Sequence, residues 1–160
     1  MEHHSNLVPW QMVCERTGAE LRVIPHDEAG VLRMDEARRV IGPSTRMLAV
    51  VHVSNTLGTV NPVAELAALA HARGALVLVD AAQSVPHMPV DVAAIGADFL
   101  AFSGHKLGAP FGIGALWGRR SVLEELPPWQ GGGGMVAEVT LERSRFGPVP
   151  LRFEAGTPDV

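Results

Sequence analysis

Three stretches of this chain are almost continuously apolar and each ends in polar residues. Met47 to Ser54 reads Met-Leu-Ala-Val-Val-His-Val-Ser and runs into Asn55. Ala75 to Ala81 reads Ala-Leu-Val-Leu-Val-Asp-Ala, with Asp80 near its end and Gln83 just beyond. Asp98 to Phe102 leads into Ser103-Gly104-His105-Lys106. Short apolar runs of this kind suit strands buried on both faces, as in a parallel sheet. Asn55, Asp80 and Lys106 follow one another at about 25 residues, the length of a strand plus a crossover helix. In open α/β sheets the ligand lies outside the carboxyl ends of the strands. The pattern therefore predicts an amide, a carboxylate and an amine converging on one crevice.

The segments between the runs read as connectors. Pro62 opens a helix over Val63 to Arg73, Gly74 stops it, and Leu66, Leu69 and Ala70 form the face turned to the sheet. Asp91 caps a short helix, Val92 to Ile95, ended by Gly96. Upstream, Ser5 or Asn6 caps a first helix with Pro9 in its opening turn. On that helix Leu7, Trp10 and Cys14 share a buried face, and Gly18 ends it. Glu20 to Pro25 alternates and reads as a short strand, followed by a turn over 26–30 and a helix over Met34 to Ile41. Gly112 to Gly118 reads as a strand antiparallel to its neighbour, because only a short loop separates the two. Arg120 to Leu126 reads as a helix, and Gly131 to Gly134 as a flexible loop. Phe146 to Val160 has too little periodicity to place.

Composition narrows the function classes. Of the 160 residues, 47% are hydrophobic and 19% charged, which fits a folded α/β domain with a substantial core. The net charge of −4 offers nucleic acid no electrostatic attraction. No apolar run reaches the roughly 18 residues of a membrane span. The first residues lack the basic and apolar regions of a signal peptide, and a single cysteine suits a reducing compartment. A cytoplasmic protein is expected. Its seven histidines are scattered and no His-Glu-x-x-His occurs, so no metal site is expected.

Lys106 carries the sharpest chemistry. A lysine between two strand-like runs, among small residues, is either a solvated turn residue or an amine set up to attack a carbonyl. Asp80 is either a turn residue or a partner in that chemistry. Cys14, with no basic neighbour in sequence, reads as a small core residue rather than a nucleophile.

Five separated motifs then converge. Glu2-His3-His4-x-Asn6-x-Val8-Pro9-Trp10, Val53-Ser54-Asn55, Val79-Asp80-Ala81-Ala82-Gln83, Ser103-Gly104-His105-Lys106 and Glu154-Ala155-Gly156-Thr157-Pro158 together resemble the class V aminotransferase superfamily. The resemblance is closest to its cysteine desulfurases of the sulfur-mobilisation type, with selenocysteine lyases beside them. It implies a three-layer α/β fold with a mostly parallel sheet, the large domain of the fold-type-I pyridoxal phosphate (PLP) enzymes. It implies that Lys106 holds PLP as an imine, and that Asp80 faces the pyridine nitrogen and keeps it protonated. Asn55 and Gln83 would hydrogen-bond the ring's phenolic oxygen, and Ser103 and His105 would hold the phosphate. His3 would stack on the ring and move protons. Thr157 would reach the cofactor phosphate of a neighbouring subunit, which implies a homodimer.

The same resemblance implies cysteine or selenocysteine as substrate, a sulfur-acceptor protein as a further partner, and a place in iron–sulfur cluster assembly. Residues 1–160 would be the central part of the PLP-binding large domain. An N-terminal segment and a C-terminal small domain, which holds the catalytic cysteine and an arginine for the substrate carboxylate, would lie outside them. The activity implied is conversion of L-cysteine to L-alanine with an enzyme-bound persulfide, inactive in this stretch alone. The alternatives are another class V PLP enzyme (a selenocysteine lyase, an epimerase-like enzyme or an aminotransferase) and a noncatalytic α/β binding module. Two departures from the family pattern are Gly108-Ala109-Pro110-Phe111 after His105-Lys106-Leu107, and Asp159 in place of asparagine. Neither is expected to touch the cofactor contacts.

Overall fold

The computed structural model describes residues 1–157. Pro158 and Asp159 lie outside them. The chain divides into two compact units, Met1–Trp117 and Gly118–Val160.

The first unit is built on the three apolar runs. They form β1 (Met47–Val51), β2 (Leu76–Asp80) and β3 (Phe99–Ser103), with β4 (Gly114–Gly118) beside β3, in the order β1-β2-β3-β4. β1, β2 and β3 are parallel, with Val51 opposite Asp80 and Asp80 opposite Ala101. The expected α/β class with a mostly parallel sheet is what the chain adopts. Side chains alternate across the sheet with period two. Val77 and Val79 are fully buried, while Leu78 and Asp80 point to the other face and are half-buried.

Helix α3 (Val63–His71) packs against β1, β2 and α5 (Val92–Ile95). Its face of Val63, Leu66, Ala67 and Ala70 is buried, and Leu69 is half-buried at the margin. Small side chains at 67 and 70 let the helix approach the strands closely. Asp91 caps α5 as predicted: its Oδ1 accepts from the backbone N–H of Ala93 at 2.9 Å and of Ala94 at 3.0 Å. Asp98, fully buried beneath α3, accepts from Val77 N at 2.8 Å and pairs with His71 Nε2 at 2.9 Å. That carboxylate ties the start of β2 to the end of α3, at the edge of the sheet opposite the strand carboxyl ends.

Three sequence expectations change. Residues 20–25 form no strand; Leu21 and Val23 are exposed, and among the described residues no strand lies alongside for the alternation to pair with. The pairing comes just afterwards, as an antiparallel bridge between His26 and Leu32 around the turn that leads to α2 (Met34–Val40). Helix α1 (Val8–Thr17) buries none of its residues; Trp10 and Cys14 are only half-buried, so Cys14 is not a core residue. The side chains of Ser5 and Asn6 do not cap α1, whose N-cap is Leu7; a short 3₁₀ turn, His4–Asn6, precedes it.

The second unit holds α6 (Arg120–Glu125) and an antiparallel pair, β5 (Val136–Val139) and β6 (Ser144–Phe146), which the sequence pattern did not disclose. Its glycine run is not simply flexible. A Cβ at Gly132 would lie 3.2 Å from that of Ala155, and Gly156 N donates to Gly133 O at 2.9 Å, so these glycines let two backbone segments meet.

His52, just past β1, is 6% exposed, and its ring Nδ1 has no partner among the described residues. Burial lowers its pKa from the ordinary 6.5. As pH falls below that value the unfolded chain takes up a proton that the folded chain refuses. His52 therefore contributes stability that is present above 6.5 and is lost as pH falls through its folded pKa. The thermal midpoint is expected to drop between about pH 7.5 and about pH 5.5, and His52→Leu to remove part of that drop. Parallel midpoint curves for the two proteins over this range would show that His52 does not contribute.

Candidate active site

The three parallel strands end along one edge of the sheet, and their last residues open into a cleft of about 500 Å³. This is within the range of small-molecule sites. Leu78 and Asp80 of β2 and Ala101 and Ser103 of β3 line it from the sheet. His105 and Lys106 enter from the 3₁₀ turn Gly104–Leu107 that follows β3. Asn55 comes from the loop after β1, and Gln83 from the turn after β2. His3, Ser5, Asn6, Pro9 and Trp10 close it from the N-terminal segment. Seven of the eight predicted site residues, His3, Asn55, Asp80, Gln83, Ser103, His105 and Lys106, thus share one cleft. The eighth, Thr157, lies exposed in the second unit. Cys14 does not line the cleft.

Each position has a local cause. Asp80 sits at the last residue of β2, and its Oδ1 accepts from Ala82 N at 2.9 Å, which fixes the carboxylate in a tight turn. Gln83 begins the four-residue helix α4 (Ser84–His87), and its carbonyl oxygen meets His87 Nδ1 at 2.6 Å. Lys106 is half-buried, and its amine has no hydrogen bond or ion pair among the described residues. A half-buried primary amine without an internal partner is available to a ligand.

The turn carrying Lys106 depends on Gly104. Gly104 N donates to Ile113 O at 2.9 Å. A Cβ there would meet Ile113 Cγ2 at 2.7 Å and Ile113 O at 3.0 Å. Gly108 (φ 85°) ends the turn in the left-handed region, and no non-glycine residue among those described has positive φ. Ala109 therefore meets no backbone demand that its Cβ opposes. Phe111 does touch the site, contrary to expectation: its ring stacks on His105 with centroids 5.3 Å apart.

The N-terminal segment is held by polar bonds that sequence reading passed over. Glu2 Oε1 accepts from Val51 N at 2.9 Å, and Ser54 Oγ donates to Met1 O at 2.8 Å. Burial raises the Glu2 carboxyl above its usual range; its hydrogen bonds from Val51 and Asn6 pull the other way, and the nearby Asp80 charge adds a little to the rise. The available signal was the four-residue spacing of Glu2, Asn6 and Trp10.

Comparison with known proteins agrees with the geometry. The chain matches the family described as Aminotransferase class-V over residues 1–160. The chain belongs to the class V aminotransferase family. It is 58% identical over 161 residues to a cysteine desulfurase of Klebsiella pneumoniae (strain 342), all of this chain against 40% of that protein. It is 54% identical over 160 residues to a probable cysteine desulfurase of Mycolicibacterium paratuberculosis, covering 23% of it. The fold superposes on the Escherichia coli cysteine desulfurase CsdA with a TM-score of 0.95 at 43% identity, over 99% of this chain and 40% of that one. The chain therefore spans less than half the length of these relatives. PLP is the cofactor of this family and of its cysteine desulfurases.

Gly104→Ala is expected to cost about 1–3 kcal/mol, since the new methyl group must displace Ile113 or the turn. Chemical denaturation measures this, and an unchanged midpoint would show that the turn has room the packing denies.

Proposed function

We propose that this chain is the PLP-binding core, the central part of the large domain, of a cysteine desulfurase. The complete enzyme would convert L-cysteine to L-alanine and leave the sulfur as a persulfide on an enzyme cysteine outside residues 1–160. The observation that carries the reading is the gathering of a free amine, a fixed carboxylate, two amides, a hydroxyl and two imidazoles in one cleft of fitting size. That donor set matches the amine-reactive carbonyl, ring nitrogen, phenolic oxygen and phosphate of PLP. The relatives' names supply the substrate.

When bound, PLP supplies an electron sink for charge developed on the substrate. The chain's own residues hold and steer it. Lys106 would hold the cofactor through Nζ and, once substrate has displaced it, would accept and return protons at that atom. Asp80, with Oδ1 already tied to Ala82 N, would hold the ring nitrogen and favour a proton there. Asn55 and Gln83 orient the phenolic oxygen, and Ser103 and His105 hold the phosphate. His3 would cover the ring, and its imidazole would take up and give back protons. Its Nδ1 accepts from Ser5 N at 3.2 Å, which in the neutral ring puts the proton on Nε2.

Three finer assignments follow from the same reading. The enzyme would act as a homodimer in which Thr157 reaches the neighbouring subunit's cofactor phosphate. It would pass sulfur to an acceptor protein for iron–sulfur cluster assembly, and it would work in the cytoplasm. Among the described residues no helix is long and apolar enough to cross a membrane.

The test uses the protein extended to the length of its relatives. Borohydride reduction of the PLP-loaded protein followed by peptide mapping is expected to find the pyridoxyl group on Lys106. A label on another lysine overturns the assignment. Asp80→Asn keeps an oxygen for Ala82 N but loses the charge, so alanine formation from cysteine is expected to fall by roughly 10²-fold or more with the protein still folded. Near-normal turnover would make Asp80 a structural residue.

A further inference from the structure

His3 is the proposed ring contact that comes from the N-terminal segment rather than from a strand end or the turn that follows one. It is exposed, and among the described residues the hydrogen bonds and ring contacts of its imidazole are to its own segment: Ser5 through Nδ1, and the His4 ring at 5.9 Å between centroids. Its placement depends on what pins the residues on either side. On one side, Glu2 Oε1 accepts from Val51 N of β1 at 2.9 Å. On the other, Asn6 is 7% exposed and bonded in two directions. Its Nδ2 donates to Glu2 Oε2 at 2.7 Å, and its Oδ1 accepts from Trp10 Nε1 of α1 at 3.1 Å.

We infer that Glu2 is a positioning residue for His3, acting through a directional relay, Glu2–Asn6–Trp10, that locks the His3 segment between β1 and α1. The inference rests on the reading of His3 as a cofactor contact. The direction follows from elementary donor and acceptor chemistry. A carboxylate only accepts and an indole N–H only donates. Asn6, lying between them, must turn its NH₂ toward Glu2 and its oxygen toward Trp10. Turning the amide over would set two acceptors face to face at Glu2 and two donors face to face at Trp10, on an amide that is 7% exposed, where an unmet polar group is costly. A carboxylate at position 2 thus does more than hold β1. It selects the amide orientation that α1 requires, and so fixes the backbone from which His3 projects.

The relay makes a signed prediction about pairs of substitutions. In Glu2→Gln the Gln oxygen still accepts from Val51 N, but its NH₂ faces the Asn6 NH₂. Asn6 cannot turn over while the indole points at its oxygen. Trp10→Phe removes that constraint, so in the double variant Asn6 is free to turn. Glu2→Gln, Trp10→Phe, their combination and a His3→Ala control are compared in the protein extended to the length of its relatives.

Without cofactor, the change in thermal midpoint caused by Glu2→Gln is expected to be more favourable in the Trp10→Phe background than in the parent, by about 2–4 °C. With PLP bound, the visible circular dichroism band of the cofactor is expected to shift in His3→Ala and in Glu2→Gln. In the double variant it is expected to return to that of Trp10→Phe alone. Additive midpoints overturn the relay. A band moved by His3→Ala but not by Glu2→Gln overturns the positioning role. If the midpoints couple and neither His3→Ala nor Glu2→Gln moves the band, the relay exists but His3 does not face the cofactor. The positioning inference then falls with that part of the proposed function.

Discussion

The site depends on the register of three parallel strands. Val51, Asp80 and Ala101 stand side by side because β1, β2 and β3 pair in step. The ladder runs past the strands themselves: His52 N donates to Asp80 O at 2.9 Å and Ala81 N to Ala101 O at 2.8 Å. The backbone is therefore fixed up to the point where polar side chains begin. A slip of one residue in β2 would turn Asp80 onto the face that α3 covers and bring Val79 to the cleft. The fully buried Val77 and Val79 oppose that slip, since it would expose both and place a carboxylate among alanines and leucines. The hydrophobic pattern that folds the sheet is also what aims the carboxylate.

This coupling explains why so much was legible in the sequence. A strand buried on both faces writes itself as an apolar run, and the polar residue ending the run marks the sheet edge where ligands bind. α3 and α5 were legible for related reasons, through Pro62, Asp91 and Gly96. The roles of individual cleft residues were not legible in this way and came from the resemblance of separated motifs. What failed was structure that depends on partners the local pattern does not record. Residues 20–25 alternate as a strand should, yet no strand pairs with them. β5 and β6 pair with each other but carry no apolar run, and Leu141 in their turn is fully exposed. The relay through Glu2, Asn6 and Trp10 was visible only as a spacing, because sequence does not show which way an amide faces.

Glycine and aromatic residues around Lys106 show how a departure from a family pattern is absorbed. The left-handed backbone there falls at Gly108 and Gly112, so Ala109 and Phe111 occupy ordinary conformations. The demand that admits no substitute is steric and lies at Gly104, where the approach of Ile113 leaves no space for a methyl group. Phe111 gains a stacking contact with His105 while remaining 85% exposed. It adds a flat apolar wall to one imidazole without altering the turn.

The cleft is thus assembled from two kinds of support. Asp80, Ser103 and the turn bearing Lys106 are fixed by strand pairing and close packing, which change only if the core changes. His3 is fixed by a few directional polar bonds on a segment whose helix buries nothing. Bonds of that kind are worth about 1 kcal/mol each, far less than a parallel strand pair with a buried face. The carboxylate of Asp80, at a strand end, is held in one position by the first kind. The imidazole of His3 is held by the second kind, so its place depends on the direction of each bond: a donor set where an acceptor must stand leaves a polar group unmet. Strand register therefore resists any change short of a change in the core, whereas the position of His3 is sensitive to a single amide or carboxyl group in its own segment.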